Sequence, residues 1–245
     1  MITMSEQLMF LFENSLHLLI GFPGYRPGGL LLSLLLAGVS IGFGFGIALF
    51  VGIGAVSVKR PLRTLSSLYV QLFRGIPLIL LLLIVHQFLG NGRYLGFKMT
   101  PLLSALVALT LYSSAYQAEI VRSGLKSVPT PLTDSAQLLG SKPAQVFRLI
   151  KLRYTWHVML PAFTGQAISL FKDSSVVVIL GVAELMTVAR IVLGSDIGNT
   201  PYWVELYLMV GFLYFIVAFA LSRFAQRRER QHQIGDLVHS MSNYE

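Results

Sequence analysis

Apolar positions along this chain fall into long runs with few charges, broken by short polar, basic stretches. Leu30 to Val58 holds no charge, which exceeds the roughly 20 residues that cross about 30 Å of hydrocarbon. Further, mostly apolar runs with one or two charges each lie at about Ser67–Leu89, Thr100–Arg122, His157–Leu180 and Trp203–Leu221. The pattern predicts an all-α polytopic membrane protein with five transmembrane helices. Residues 1–28 form an outer N-terminal segment, 29–224 the five-helix core and 225–245 a tail. Leu8–Phe12 and Leu16–Ile20 suggest a helix lying in the outer interface. Glu6 and Glu13, with no Lys or Arg in residues 1–25, are unlike the basic start of a signal peptide.

Local signals refine these runs. Gly38, Gly42 and Gly46 recur every four residues in the first, a stripe that lets a helix approach closely unless it reflects only the abundance of glycine in membrane helices. Pro77 loosens the second span one turn after Arg74. Asn91-Gly92 signals a turn, and Thr100-Pro101 starts the third span. After the fourth span comes a polar outer segment holding Glu184, Arg190 and Asp196.

The stretch between the third and fourth spans is too polar to cross a bilayer. One short helix is predicted with Thr130 as N-cap, Pro131 at its first position, Asp134 in its first turn and Gly140 as its stop. A second starts after Ser141, with Pro143 in its first turn.

Composition agrees with a membrane protein: 54% of residues are hydrophobic and 12% charged, against about 25% charged in soluble domains. The absence of cysteine excludes disulfides and thiolate metal sites. The net charge of +8 follows the loops rather than any nucleic-acid-binding patch. With the central loop inside, 14 of the 19 Lys and Arg lie on or near the cytoplasmic face. Arg26, Arg93, Lys98 and Arg190 lie outside and Lys172 within the membrane. The bias orients the N-terminus out and the C-terminus in. The terminal run RRERQHQ reads as an anchor on anionic lipid.

No catalytic constellation or metal-ligand spacing stands out among the five histidines, and no Gly-Lys-Ser/Thr phosphate loop follows the glycines of the first span. Polar cost concentrates on the fourth span. Gln166, Ser169 and Asp173 share a face, with Lys172 and Ser175 on an adjoining stripe. A charge at mid-bilayer costs roughly 2.5–3.5 kcal/mol and faces a cavity or partner. These residues either line a solute path or meet the outer interface or another subunit. Tyr112 and Gln117 serve the path or bond between helices. Glu119 and Arg122, at i and i+3, are spaced for an ion pair at the membrane edge or serve as an interfacial anchor.

The central loop resembles the cytoplasmic EAA loop of ABC importer permeases, with the pattern falling on Asp134, Ser135, Ala136, Gly140, Ile150 and Leu152. Asp134, Ser135 and Arg153 replace the family's glutamate, alanine and proline; the arginine alters the exit from the second helix. Tyr69–Leu78, Ala115–Arg122, Lys172–Ser175 and Ile179–Leu185 are similar to the polar amino-acid branch, in order, within a likeness covering about 29–227.

The resemblance implies a permease subunit of the bacterial inner membrane and no enzyme in this chain. ATP and Mg would belong to two cytoplasmic ATPase partners. A second permease subunit, as homodimer or heterodimer, and an extracytoplasmic solute-binding protein complete the expected assembly around an amino-acid solute and membrane lipid. It also implies that Asp134, Ser135, Ala136, Leu139 and Gly140 contact the ATPase, and that Glu119–Arg122 belongs to the hinge into that loop. The rival is a self-sufficient secondary transporter or channel with the fourth span as its ion pathway; a non-transporting scaffold is a further alternative.

Overall fold

The computed structural model describes residues 3–22, 27–90, 92, 96 and 98–242, with 228–242 described by backbone alone. Asn91 of the expected turn, Arg26 and Arg93 lie outside the described residues, as do most side chains of the terminal run. Every regular element is helical: α1 Met4–Ile20, α2 Gly29–Ala55, α3 Arg60–Gly75, α4 Leu78–Gly90, α5 Pro101–Lys126 and α6 Thr130–Leu138. Then follow α7, the continuous helix Pro143–Leu180, α8 Leu185–Gly194 and α9 Trp203–Ser242. A 3₁₀ segment, Ile197–Tyr202, leads into α9.

Three stretches, Gly29–Ala55, Pro143–Leu180 and Ile197–Arg227, are long and apolar enough to cross a membrane; α3 with α4 makes a fourth if the pair acts as one span. The second span, expected to be loosened at Pro77, is broken there: α3 and α4 meet at 106°. Pro77 is the cause: its ring bars the preceding residue from the helical region, and Ile76 is extended at φ −87°, ψ 129°. Helix α5 is long enough to span, about 39 Å at 1.5 Å per residue, but its last turns carry Glu119, Arg122 and Lys126.

The core forms where α2 and α5 pack side by side. Gly38, Gly42 and Gly46, the stripe offered for close approach of a helix or as mere glycine abundance, have nothing within 4 Å of an added Cβ in this chain. The close approach uses the neighbouring stripe of buried Ser40, Gly44, Ala48 and Gly52. A Cβ on Gly52 would stand 2.6 Å from the Val121 Cβ and 2.9 Å from the Ala118 carbonyl oxygen. Leu36, Leu82, Ala105, Leu109, Leu170 and Val177 join α2, α4, α5 and α7 in one apolar cluster.

A second cluster joins α1, α8 and α9 through Phe10, Leu18, Leu185, Val188, Leu206 and Val210. Helix α1 starts with a capping box between Thr3 and Glu6. The Thr3 backbone N–H and hydroxyl hold the exposed Glu6 carboxyl below its ordinary range. Its Leu8, Met9 and Phe12 side chains remain exposed.

The expected polar outer segment after the fourth span is also corrected. Residues 185–194 form an apolar helix whose Leu185, Val188, Ala189 and Val192 are buried at helical spacing. Glu184, wholly buried, is its N-cap: its carboxylate accepts from the Met186 N–H at 2.9 Å and the Thr187 N–H at 2.8 Å.

Candidate coupling helix and solute path

Helix α6 begins at Thr130, one residue before the expected start, with Pro129 in the capping position and no side-chain cap. This shift corrects two expectations. Thr130 is inside the helix, and Asp134, exposed, lies beyond the first turn. Thr133 is the one buried residue of α6, and its hydroxyl donates to the Thr130 carbonyl at 2.9 Å. Ser135 is exposed and Ala136 half-buried. Leu138 and Leu139 are 88% and 87% exposed, an apolar pair that this chain leaves uncovered.

Gly140 stands at φ +86°, in the left-handed region. Its N–H donates to the Gln137 carbonyl at 2.9 Å, and the Ser141 N–H reaches Ala136 at 3.0 Å. This pair of bonds satisfies carbonyls at the helix end and turns the chain sharply. Helix α7 starts at once, with the Lys142 N–H donating to the Gln145 side chain at 2.8 Å.

Helix α7 does not end at Arg153. The expected short second helix and the fourth span are one helix, with a π-helical turn over Val146–Lys151. Arg153 sits inside this continuous helix, which also accommodates Pro161. Its early turns are fixed to the end of α5. The Thr155 hydroxyl donates to the Gly124 carbonyl at 3.1 Å, and Met159 packs where a Cβ on Gly124 would stand. The chain that follows α6 is thereby held in direct contact with the end of α5.

At that joint Arg122 donates from Nε to Glu119 Oε2 at 2.8 Å and from Nη2 to Oε1, a bidentate pair. The pair borders a cavity of about 510 Å³ that is also lined by Gln71, Arg74 and Tyr116. The Arg74 guanidinium lies 5.0 Å from the centre of the Tyr116 ring. Tyr116 packs against Tyr112, ring centres 4.8 Å apart.

A polar row thus runs from Arg74 through Tyr116 to Tyr112. Tyr112 and Asp173 of α7 are both half-buried. Gln166 and Ser169 are half-buried on the Asp173 face, whereas Lys172 points to an exposed surface. Gln117 is in the core, not the row: its amide donates to Ser113 Oγ at 2.7 Å and the Ile41 carbonyl at 3.3 Å. Sequence reasoning left out Arg74 and Tyr116 as partners. Their separation by 42 positions carries no periodic signal.

With this geometry in view, the comparisons are specific. Residues 40–231 match the model of the binding-protein-dependent transport system inner membrane component family, and the chain belongs to that family. It is 32% identical over 203 residues to the glutamate/aspartate import permease protein GltK of Escherichia coli O157:H7, covering 81% of this chain and 89% of GltK. It is 30% identical over 216 residues to the inner membrane amino-acid ABC transporter permease protein YhdY of Escherichia coli K12. That match covers 86% of this chain but 58% of YhdY.

Among solved structures, an amino acid ABC transporter crystallised with histidines superposes with a TM-score of 0.74 at 27% identity. It covers 82% of this chain and 91% of that one. The inward-facing methionine transporter MetNI gives 0.64 at 26% identity, covering 81% and 94%. Multi-pass helical architecture and membership of an inner-membrane transport family are thereby established for this chain.

Proposed function

We infer that this chain is the permease subunit of an ATP-driven importer of polar amino acids, with the ATPase on separate chains. The single observation that carries this reading is the family match over residues 40–231. The names of the relatives point to amino acids as solutes. In this reading α2, the α3–α4 pair, α5, α7 and α9 are the five spans, with the N-terminus outside and the C-terminus inside. Helix α6 enters a cleft of the ATPase, where the uncovered Leu138 and Leu139 bury apolar surface. The Glu119–Arg122 pair is the hinge joining α6 and α7 to α5. Tyr112, Gln166, Ser169 and Asp173, with Lys172 beside them, line the solute path.

A second permease copy or homologue, two ATPases and an extracytoplasmic binding protein complete the machine. The rival of a self-sufficient secondary transporter or channel is disfavoured by the same family match. Reconstitution in proteoliposomes tests the choice. Uptake that requires both ATP and an added ATPase is the expected result; gradient-driven uptake by this chain alone overturns it.

A further inference from the structure

At the end of the bundle that carries α6, three cations from three separate elements surround one groove. Arg63 of α3, Lys126 of α5 and Lys151 of the π-helical turn line a cavity of about 390 Å³, whose apolar wall includes Val56, Leu125 and Phe147. Arg63 and Lys126 also line an adjoining cavity of about 480 Å³, with Thr64, Ser67 and Leu68. None of the three cations makes an ion pair among the described residues. The nearby Glu119 is engaged by Arg122, which itself borders the second cavity.

Three like charges held around one concavity repel unless an anion enters. The hydroxyls of Thr64 and Ser67 add donors for its oxygens. Beside Leu68 of the groove, Leu65 and Leu72 of α3 are 66% and 50% exposed, an apolar strip leading away from the charges. A phosphate ester carrying a hydrocarbon tail matches both parts. Basic pockets between spanning helices on the cytoplasmic side bind anionic headgroups.

We propose that this groove binds the phosphate of an anionic phospholipid of the inner leaflet, with its acyl chain along the α3 leucines. The proposal rests on the cytoplasmic placement of this end given under the proposed function, but its test reads lipid binding and not transport. A failure of one is therefore distinct from a failure of the other.

The test is native mass spectrometry of the purified full-length chain with phosphatidylglycerol, phosphatidylcholine or inorganic phosphate. Retention of phosphatidylglycerol over phosphatidylcholine is expected, undisturbed by excess inorganic phosphate. The triple change Arg63→Gln, Lys126→Gln, Lys151→Gln should lower that retention by about tenfold or more. Loss of Arg223 and Arg227 from α9 should leave it within about twofold. Should the triple variant fail to insert, Lys126→Gln alone, at an exposed side chain, should still cost about fivefold. Equal retention of both lipids, displacement by inorganic phosphate, or unchanged retention in the Lys126→Gln variant overturns the proposal.

Discussion

Tyr214 of α9 donates its hydroxyl to the Glu184 carboxylate at 3.1 Å, tying the longest helix of the chain to the N-cap of α8. The same carboxylate lies 3.4 Å from the Ser33 hydroxyl of α2, and the Gly29 N–H donates to the Ala183 carbonyl at 2.9 Å. One buried acid therefore holds three helices in register. Its removal would leave the buried Ser33 and Thr187 and the half-buried Met186 and Tyr214 without this acceptor.

Replacing Glu184 by Ala should accordingly destabilise the protein by about 2–4 kcal/mol, the sum of a lost cap and buried donors left unpaired. Glu184→Gln should cost less, because the amide oxygen still accepts from the α8 backbone. Thermal melting of the detergent-solubilised protein ranks the two. Melting of Glu184→Ala at the parental temperature contradicts this account.

Two glycines of α2 should respond in opposite ways to the same change. At Gly52 an added methyl meets Val121 and the Ala118 backbone, so Gly52→Ala should force α2 from α5 at a cost of about 1–3 kcal/mol. Gly46 faces open space, and Gly46→Ala should be neutral or raise helix stability by up to about 1 kcal/mol. Equal melting temperatures for the two variants would remove the assigned register.

That register marks where the sequence stopped being informative. The long apolar runs made the helices of the bundle legible, since length and scarcity of charge suffice to name a membrane helix. Which face of α2 meets α5 was not legible, because glycine, serine and alanine occur all around it. Pro77 announced a disturbance, but its 106° size depends on α4 turning to pack on α5. Glu184 was counted as a polar outer residue because a charge normally signals exposure. Its N-cap role was readable from the apolar residues at 185, 188, 189 and 192 that follow it. The α6–Gly140 turn was the most legible part of the candidate site, since glycine before a second proline-started helix leaves few alternatives.

The proposed topology rests on the charge bias and can be tested chemically, because the chain has no cysteine. Single replacements Ser141→Cys and Ser195→Cys should react with a membrane-impermeant maleimide from opposite faces. Ser141→Cys should react only after the cytoplasmic side is opened. Labelling of both from one side would sink the five-span arrangement.

For the solute path, Asp173→Asn removes the charge while keeping the shape. Transport should fall by about tenfold or change its solute preference as charged partners are lost, with assembly at the parental yield. Radiolabelled uptake by the reconstituted complex measures it. Parental uptake of every solute tested would return Gln166, Ser169 and Asp173 to a structural role.

Gly140 gives the sharpest test of coupling. Its φ of +86° suits glycine, and a β-carbon there is penalised by roughly 1–2 kcal/mol. Nothing lies within 4 Å of that β-carbon, so the penalty of Gly140→Val is one of backbone strain and not of collision. Relief of the strain must redirect the chain between α6 and α7, and the exposed Leu138 and Leu139 move with it. The spans, packed through α2 and α5, have no part in that turn and should insert as before. Association with the ATPase should therefore weaken by about tenfold, since 1–2 kcal/mol lost from a docking geometry corresponds to that factor. Hydrolysis should run without matching uptake. Co-purification with the ATPase and the ratio of ATP hydrolysed to solute transported are the measurements. A Gly140→Val protein that inserts, retains its ATPase at full yield and transports at the parental rate would leave α6 a simple connector between spans.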